Sequence, residues 1–90
     1  MTSRSEERFE TRSLTMAAYL RSLGEEPELV KRSEPINGTV RHFGVWLFQS
    51  SGYLEAMVEV FQDGNARVEP TGFHNTMSQM RREVIAFLDS

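Results

Sequence analysis

Histidine, serine and carboxylate side chains are the groups in this sequence whose chemistry could support catalysis or metal binding. The chain of 90 residues has two histidines, His42 and His74, with 13 acidic residues and no cysteine. No His-x-x-x-His, Glu-x-x-His or Asp-x-Asp grouping brings ligands onto one helical face or loop. The lack of cysteine excludes thiolate zinc sites, disulfides and a Cys nucleophile. Each histidine is therefore expected to have a structural or solvent-facing role rather than an acid/base role.

The sequence around the serine residues indicates helix capping rather than catalysis or phosphate binding. A nucleophilic serine needs a strained turn such as Gly-x-Ser-x-Gly, which this sequence lacks. Ser50-Ser51-Gly52 stands between an apolar run and a helical stripe, where free backbone N–H groups can hold a phosphate. No Lys-Ser/Thr pair is present and acidic Glu55 and Glu59 follow, so capping by Ser50 or Ser51 is favoured. We expect the chain not to be an enzyme and to use no cofactor or metal.

Basic side chains supply an alternative hypothesis, nucleic-acid binding. The net charge of -3 argues against general attraction to a polyanion but allows a local patch. The candidate phosphate contacts are Lys31, Arg32, Arg41, Arg81 and Arg82. They would have to share one face that carboxylates avoid, whereas Glu34 and Glu83 lie among them. Without that shared face they are a solvated surface.

The elements that must position these residues are organised around residues 40–61. Residues 40–49 contain the only Trp of the chain and are rich in aromatic and β-branched residues, which predicts a strand covered by other elements. After Ser50-Ser51-Gly52, the apolar residues Leu54, Met57, Val58 and Phe61 have the spacing of one helical stripe. This unit therefore predicts a buried strand followed directly by an amphipathic helix.

A hairpin is predicted before this helix because Asn37-Gly38 is the strongest two-residue turn signal. The same residues with Thr39 match the N-glycosylation sequon, which the turn explains fully. The predicted register pairs Ile36 with Thr39, Glu34 with Arg41, Arg32 with Phe43, Val30 with Val45 and Leu29 with Trp46. Glu34 and Arg41 are then expected to form a cross-strand ion pair. The first strand is the more polar and should lie at the edge of the sheet.

Both faces of the second hairpin strand are apolar, so both need cover. Trp46 and Phe48 are the larger side chains of one face and are assigned to the core with the helices. On the other face, Phe43, Val45 and Leu47 either meet the remaining helix or form a protein interface, such as a dimer surface. These three residues are the candidate protein-binding site.

Two further helices flank this unit. Ser13 is predicted to cap a first helix with Met16, Leu20 and Leu23 on its apolar stripe, lying flat on the sheet and ending at Gly24. The last helix has its apolar stripe at Phe73, Met77, Met80, Val84 and Phe87, widened by Leu88. Residues 66–69 are an optional short third strand. The predicted fold is a two-layer α+β domain in the order α-β-β-α-α, a β-hairpin packed with three helices.

Length and composition indicate one small domain. The chain has 39% hydrophobic and 26% charged residues, as ordinary soluble domains do. Residues 1–8 are polar and expected to be flexible, and residues 9–90 form the domain. No apolar run approaches the roughly 20 residues of a membrane span, and the first residues lack the apolar core of a signal peptide. We therefore expect a cytoplasmic protein that does not bind membranes.

The helix and strand spacings also resemble a family of small domains of bacteria and their phages that has no assigned function. The similarity lies in Leu14-x-x-Ala17-Ala18-x-Leu20 with a closing Gly24, then in Trp46-Leu47-Phe48, and then in Val68, Pro70 and Phe73. It spans most of residues 9–88. The resemblance implies a phage or mobile-element context and, in a phage, a location in the host cytoplasm. It implies no activity and no site residues.

Binding to another protein is the function that these observations favour. The doubly apolar strand, the small size and the surplus of Met and aromatic residues predict a non-enzymatic, protein-binding accessory domain that self-associates. Nucleic-acid binding through the basic residues named above is the alternative. No residue in the sequence identifies the protein partner.

Overall fold

The structure is a computed structural model that describes residues 7–89. Its elements are β1 (Arg8–Thr11), α1 (Leu14–Ser22), β2 (Glu28–Ile36), β3 (Thr39–Gln49), α2 (Gly52–Gln62) and α3 (Pro70–Asp89). The predicted α+β class and the order α-β-β-α-α from α1 to α3 are confirmed. An additional strand, β1, precedes them.

The sheet is antiparallel and has the strand order β1-β3-β2. All five predicted hairpin pairs are present, from Ile36 with Thr39 to Leu29 with Trp46. The turn is made by Asn37 and Gly38, both with positive φ, at 51° and 83°. The more polar β2 lies at an edge of the sheet, as predicted, and β3 lies in the centre.

The third strand lies elsewhere than expected. Residues 66–69 are not a strand, because Glu69 caps α3 with its side chain accepting the N–H groups of Thr71 and Gly72. The strand that completes the sheet is β1, whose residue Phe9 packs against the core. With one large apolar residue in four, β1 gives no periodic signal. Its start at Arg8 lies one residue inside the segment predicted to be flexible, and residues 1–6 lie outside the described part of the chain.

Helix α1 is the centre of the helical layer. Five consecutive residues, Met16 to Leu20, are buried, so α1 is covered on more than the single stripe that the sequence predicts. It packs mainly against α3 and α2, contacts β1 and shares the buried cluster with Trp46 and Phe48 of the sheet. Tyr19 shows this enclosure, with its ring centroid 5.3 Å from that of Phe61 on α2. The small Ala17 and Ala18, both with no exposed surface, allow neighbouring elements to approach closely.

The helix ends follow the predicted capping residues. The Ser13 hydroxyl accepts the N–H of Met16 at 3.1 Å, and Gly24 ends α1 with φ at 97°. At α2 the structure selects Ser51, whose hydroxyl accepts the N–H of Leu54 at 3.0 Å. The Ser50 backbone N–H instead donates to the Glu7 carbonyl at 3.1 Å.

Loss of the α2 cap should have a measurable cost. Ser51→Ala is expected to lower the free energy of unfolding by about 1 kcal/mol, because an N–H of the first turn loses its acceptor. Urea denaturation followed by circular dichroism measures this change. Ser50→Ala is the matched control and should stay within about 0.5 kcal/mol of wild type. Equal losses in the two variants would contradict the assignment of Ser51 as the cap.

Candidate interaction surface

The sheet has one face toward the helices and one open face. Trp46 and Phe48 belong to the core with α1, α2 and α3, as predicted. Side chains alternate along a strand, so Phe43, Val45 and Leu47 point the other way. These three residues lie outside the cluster that the helices form with the sheet.

Ion pairs between the two edge strands cross the open face. Each pair joins a residue of β1, or Arg12 just after it, to a residue of β2, and so passes over the central strand. The pairs are Arg8–Glu28 at 3.2 Å, Arg32–Glu10 at 3.0 Å and Arg12–Glu34 at 3.7 Å. The Arg12 guanidinium carbon also lies 3.7 Å from the centroid of the Phe43 ring. The apolar row is therefore covered by the stems and charged groups of long side chains.

These long side chains limit the surface that the candidate interface of Phe43, Val45 and Leu47 could present to a partner protein. Val45 has 0% exposure although the helices lie on the opposite face, so it has no surface with which to contact a partner. Phe43 and Leu47 are half-buried. A partner on this face would meet the six charged side chains first. Val45 is buried within the single chain, without a helix or a second molecule on the open face.

The ion pair expected between Glu34 and Arg41 is not formed. The two residues are directly opposite, as predicted, but Glu34 pairs with Arg12 instead. Arg12 reaches Glu34 because β1 runs along the other side of β3, which the sequence does not reveal. Arg41 is exposed and has no carboxylate within salt-bridge distance among residues 7–89.

The β1 side of β3 is only partly occupied. β3 has 11 residues and β1 has four, which pair with Trp46 to Gln49. The two-residue turn makes Ile36 and Thr39 a hydrogen-bonded pair, so Thr39, Arg41 and Phe43 bond to β2. The backbone groups of Val40, His42 and Gly44 then point to the side of β1. No strand of the described chain reaches these three residues, which we call the β3 notch.

Side chains around the β3 notch are exposed on both sides of the sheet. Val40 has 63% exposure, the largest of any large hydrophobic residue that the structure describes. His42 is exposed, with its Nδ1 atom 2.7 Å from the Ser33 hydroxyl. Arg41 lies on the open face, on the same side of β3 as Phe43, whose ring has the Arg12 guanidinium over it. The notch thus combines free backbone groups, an exposed apolar residue and two cations.

The candidate nucleic-acid contacts do not share one face. Arg32 and Arg41 lie on the open face, and Arg32 is paired with Glu10. Lys31 is directly opposite Gly44 and points to the helix side of β2. Arg81 and Arg82 are exposed on α3, next to Glu83, which pairs with Arg21 of α1 at 3.1 Å. The five residues therefore do not form one basic patch that a nucleic acid could contact.

The other side chains that could support catalysis or metal binding lie far from one another. His74 is exposed on α3, and Ser51 is occupied as a cap. Among residues 7–89, no three His, Asp or Glu side chains are grouped so that they could hold a metal ion. In the same part of the chain no helix has the length and apolar character needed to cross a membrane.

Comparisons with family models, with curated proteins and with solved structures find no match to this chain. The resemblance to small bacterial and phage domains therefore stays a prediction. The β3 notch was not predicted from the sequence, because its existence depends on the difference in length between β1 and β3. The closest signal in the sequence is Phe9, a single apolar residue between charged neighbours, which is typical of a short edge strand.

Proposed function

We propose that this chain is a small, non-enzymatic accessory domain that binds another protein through its sheet. The observation that supports the proposal is the β3 notch, where Val40, His42 and Gly44 offer backbone donors and acceptors without a strand partner in residues 7–89. Sheet edges of this kind bind extended segments of other proteins by adding a strand. Three ion pairs join β1 and Arg12 to β2 across the open face of β3, beside the notch.

Self-association is the second part of the proposal. The open face is the place for a second copy, because Phe43 and Leu47 are half-buried there and six charges of both signs alternate around them. Burying these charges costs free energy unless each stays paired, so we expect a weak dimer. The cytoplasmic location and the phage or mobile-element origin belong to the same proposal and rest on the sequence analysis.

Light scattering across a concentration series tests the self-association. The expected result is a mass that rises from one copy toward two with concentration. Phe43→Glu should keep the protein monomeric, because it places a carboxylate among the charges that the second copy must contact. Ile85→Glu is the matched control, since Ile85 is 54% exposed on α3 and away from the sheet. A wild-type mass that stays at one copy up to millimolar concentration would remove self-association and leave the notch proposal standing.

Nucleic-acid binding keeps only a weak structural basis, because its five candidate residues divide between two faces of the sheet and α3. If a duplex or single strand binds, its affinity should fall steeply with salt and should weaken in Arg81→Ala/Arg82→Ala without change in fold. Affinity that is absent at low salt would leave protein binding as the proposed function.

A further inference from the structure

The β3 notch has a definite geometry for a bound strand. β1 is antiparallel to β3 and leaves the sheet at Arg12, where the chain turns to begin α1 at Leu14. A guest strand can continue along the same line, past Thr11, and run antiparallel to β3. Its first, third and fifth residues would form hydrogen-bonded pairs with Gly44, His42 and Val40. Its second and fourth residues would lie opposite Phe43 and Arg41.

Two symmetric pairings of a second copy in the notch are disfavoured. In a two-fold symmetric pairing centred on His42, Gly38 of the copy would lie opposite Trp46, a place that Thr11 already occupies. In the pairing centred on Arg41, the two Arg41 side chains would be directly opposite each other. Like charges in that position destabilise an antiparallel pair. Arg41 therefore protects this edge from self-pairing and favours a different chain.

The charge and exposure of the side chains around the notch predict which residues a bound strand would have. On the open face, its second residue would lie beside the Phe43 ring and the Arg12 guanidinium, and its fourth beside Arg41, which has no carboxylate partner in residues 7–89. A carboxylate at the fourth position would form charge-assisted hydrogen bonds with Arg41, and one at the second position would share the Arg12 guanidinium with Glu34, which lies 3.7 Å from it. On the helix side, the fifth residue would cover the exposed Val40 and is best apolar. The first lies beside Gly44, where Val84 fills the space above the backbone, and must be small or β-branched.

We propose that the β3 notch binds an extended segment of a partner protein in which two carboxylates alternate with apolar residues. This inference rests on the proposed protein-binding function and names the chemistry of the partner. The segment adds a fourth strand beside Val40 to Gly44, in line with β1. Backbone hydrogen bonds supply the affinity, and the pairing of its carboxylates with Arg41 and Arg12 supplies the specificity.

A labelled peptide with the core Val-Glu-Thr-Glu-Val tests the inference by fluorescence anisotropy and by amide chemical shifts. We expect binding with the largest shifts at residues 40–44, and about tenfold weaker binding of the peptide with both Glu replaced by Lys. Arg41→Glu should reverse this preference. Lys31→Glu is the matched control, because it makes the same charge change on the helix side of β2 and should leave the preference intact.

A backbone substitution separates strand addition from simple charge attraction. His42→Pro removes the N–H that points into the notch while the bonds of Arg41 and Phe43 to β2 remain. Proline is tolerated there because β3, although central in the sheet, has no partner strand on this side at His42. His42→Pro should abolish peptide binding, whereas His42→Ala should bind as wild type does. Shifts that avoid residues 40–44, or equal binding of the Glu and Lys peptides to wild type and Arg41→Glu, would overturn the inference. A protein partner whose binding survives Arg41→Glu but is lost in His42→Pro would overturn the carboxylate specificity, while leaving strand addition at the notch and the proposed function intact.

Discussion

Replacing Trp46 with alanine is expected to lower the free energy of unfolding by about 3–5 kcal/mol. The side chain is 4% exposed and belongs to the cluster that joins β3 to all three helices. Its removal leaves a cavity between the two layers that the neighbouring side chains can fill only in part. Domains of this size have about 5–15 kcal/mol of stability at most, so the variant should be largely unfolded at moderate urea concentrations.

Urea denaturation followed by circular dichroism measures the Trp46→Ala effect, since the variant has no tryptophan fluorescence. Val40→Ala is the matched control, because Val40 is on the same face of the same strand but 63% exposed. That change should cost no more than about 0.5 kcal/mol. A loss below about 1 kcal/mol for Trp46→Ala would contradict its place in the core. A tryptophan emission maximum in the wild-type protein typical of a solvent-exposed indole would also contradict it.

Adding a single methyl group at Gly44 is expected to cost about 1–3 kcal/mol, since overpacking a filled core forces neighbours to move. A Cβ atom at this position would overlap Cγ2 of Val84 on α3 and would also come within 3.3 Å of Leu29. Val84 is β-branched and stiff in a helix, so it gives way less easily than a long side chain would. Gly44 therefore marks the place where α3 approaches the backbone of β3.

A double-mutant cycle checks the origin of the Gly44→Ala effect. In the Val84→Ala background, Gly44→Ala should cost much less, giving a coupling of about 0.5–3 kcal/mol between the two positions. Gly52→Ala is the control for removing a glycine as such, because nothing lies within 4 Å of a Cβ at Gly52. It should be neutral or slightly stabilising. Additive losses at Gly44 and Val84 would show that the helix does not contact the strand there.

The open face illustrates how a small domain can protect an apolar row without a third layer. Val45 is fully buried beside Val30 of β2, while the side chains of the ion pairs on this face stay about half exposed. Exposed pairs of this kind contribute little stability individually, about 0–1 kcal/mol each. Their structural consequence is larger, because they leave Arg41 without a carboxylate partner in residues 7–89 and beside the notch.

Local signals in the sequence determined the elements of this fold and the register of its hairpin. Asn37-Gly38 specified the turn, and the side-chain period of the strands then placed Trp46 and Phe48 with the helices. Ser13 and Gly24 marked the ends of α1 for the same reason, since caps and turns depend on residues a few positions apart.

Only the tertiary structure decided what depends on contacts between distant segments. The pairing of β1 with β3, the ion pair of Glu34 with Arg12 and the close approach of Val84 to Gly44 each join residues that no local spacing connects. The β3 notch follows from the first of these contacts, because it exists where β1 ends and β3 continues. A short, charged strand such as β1 becomes stable only when a partner strand satisfies its backbone, and that partner lies more than 30 residues along the chain.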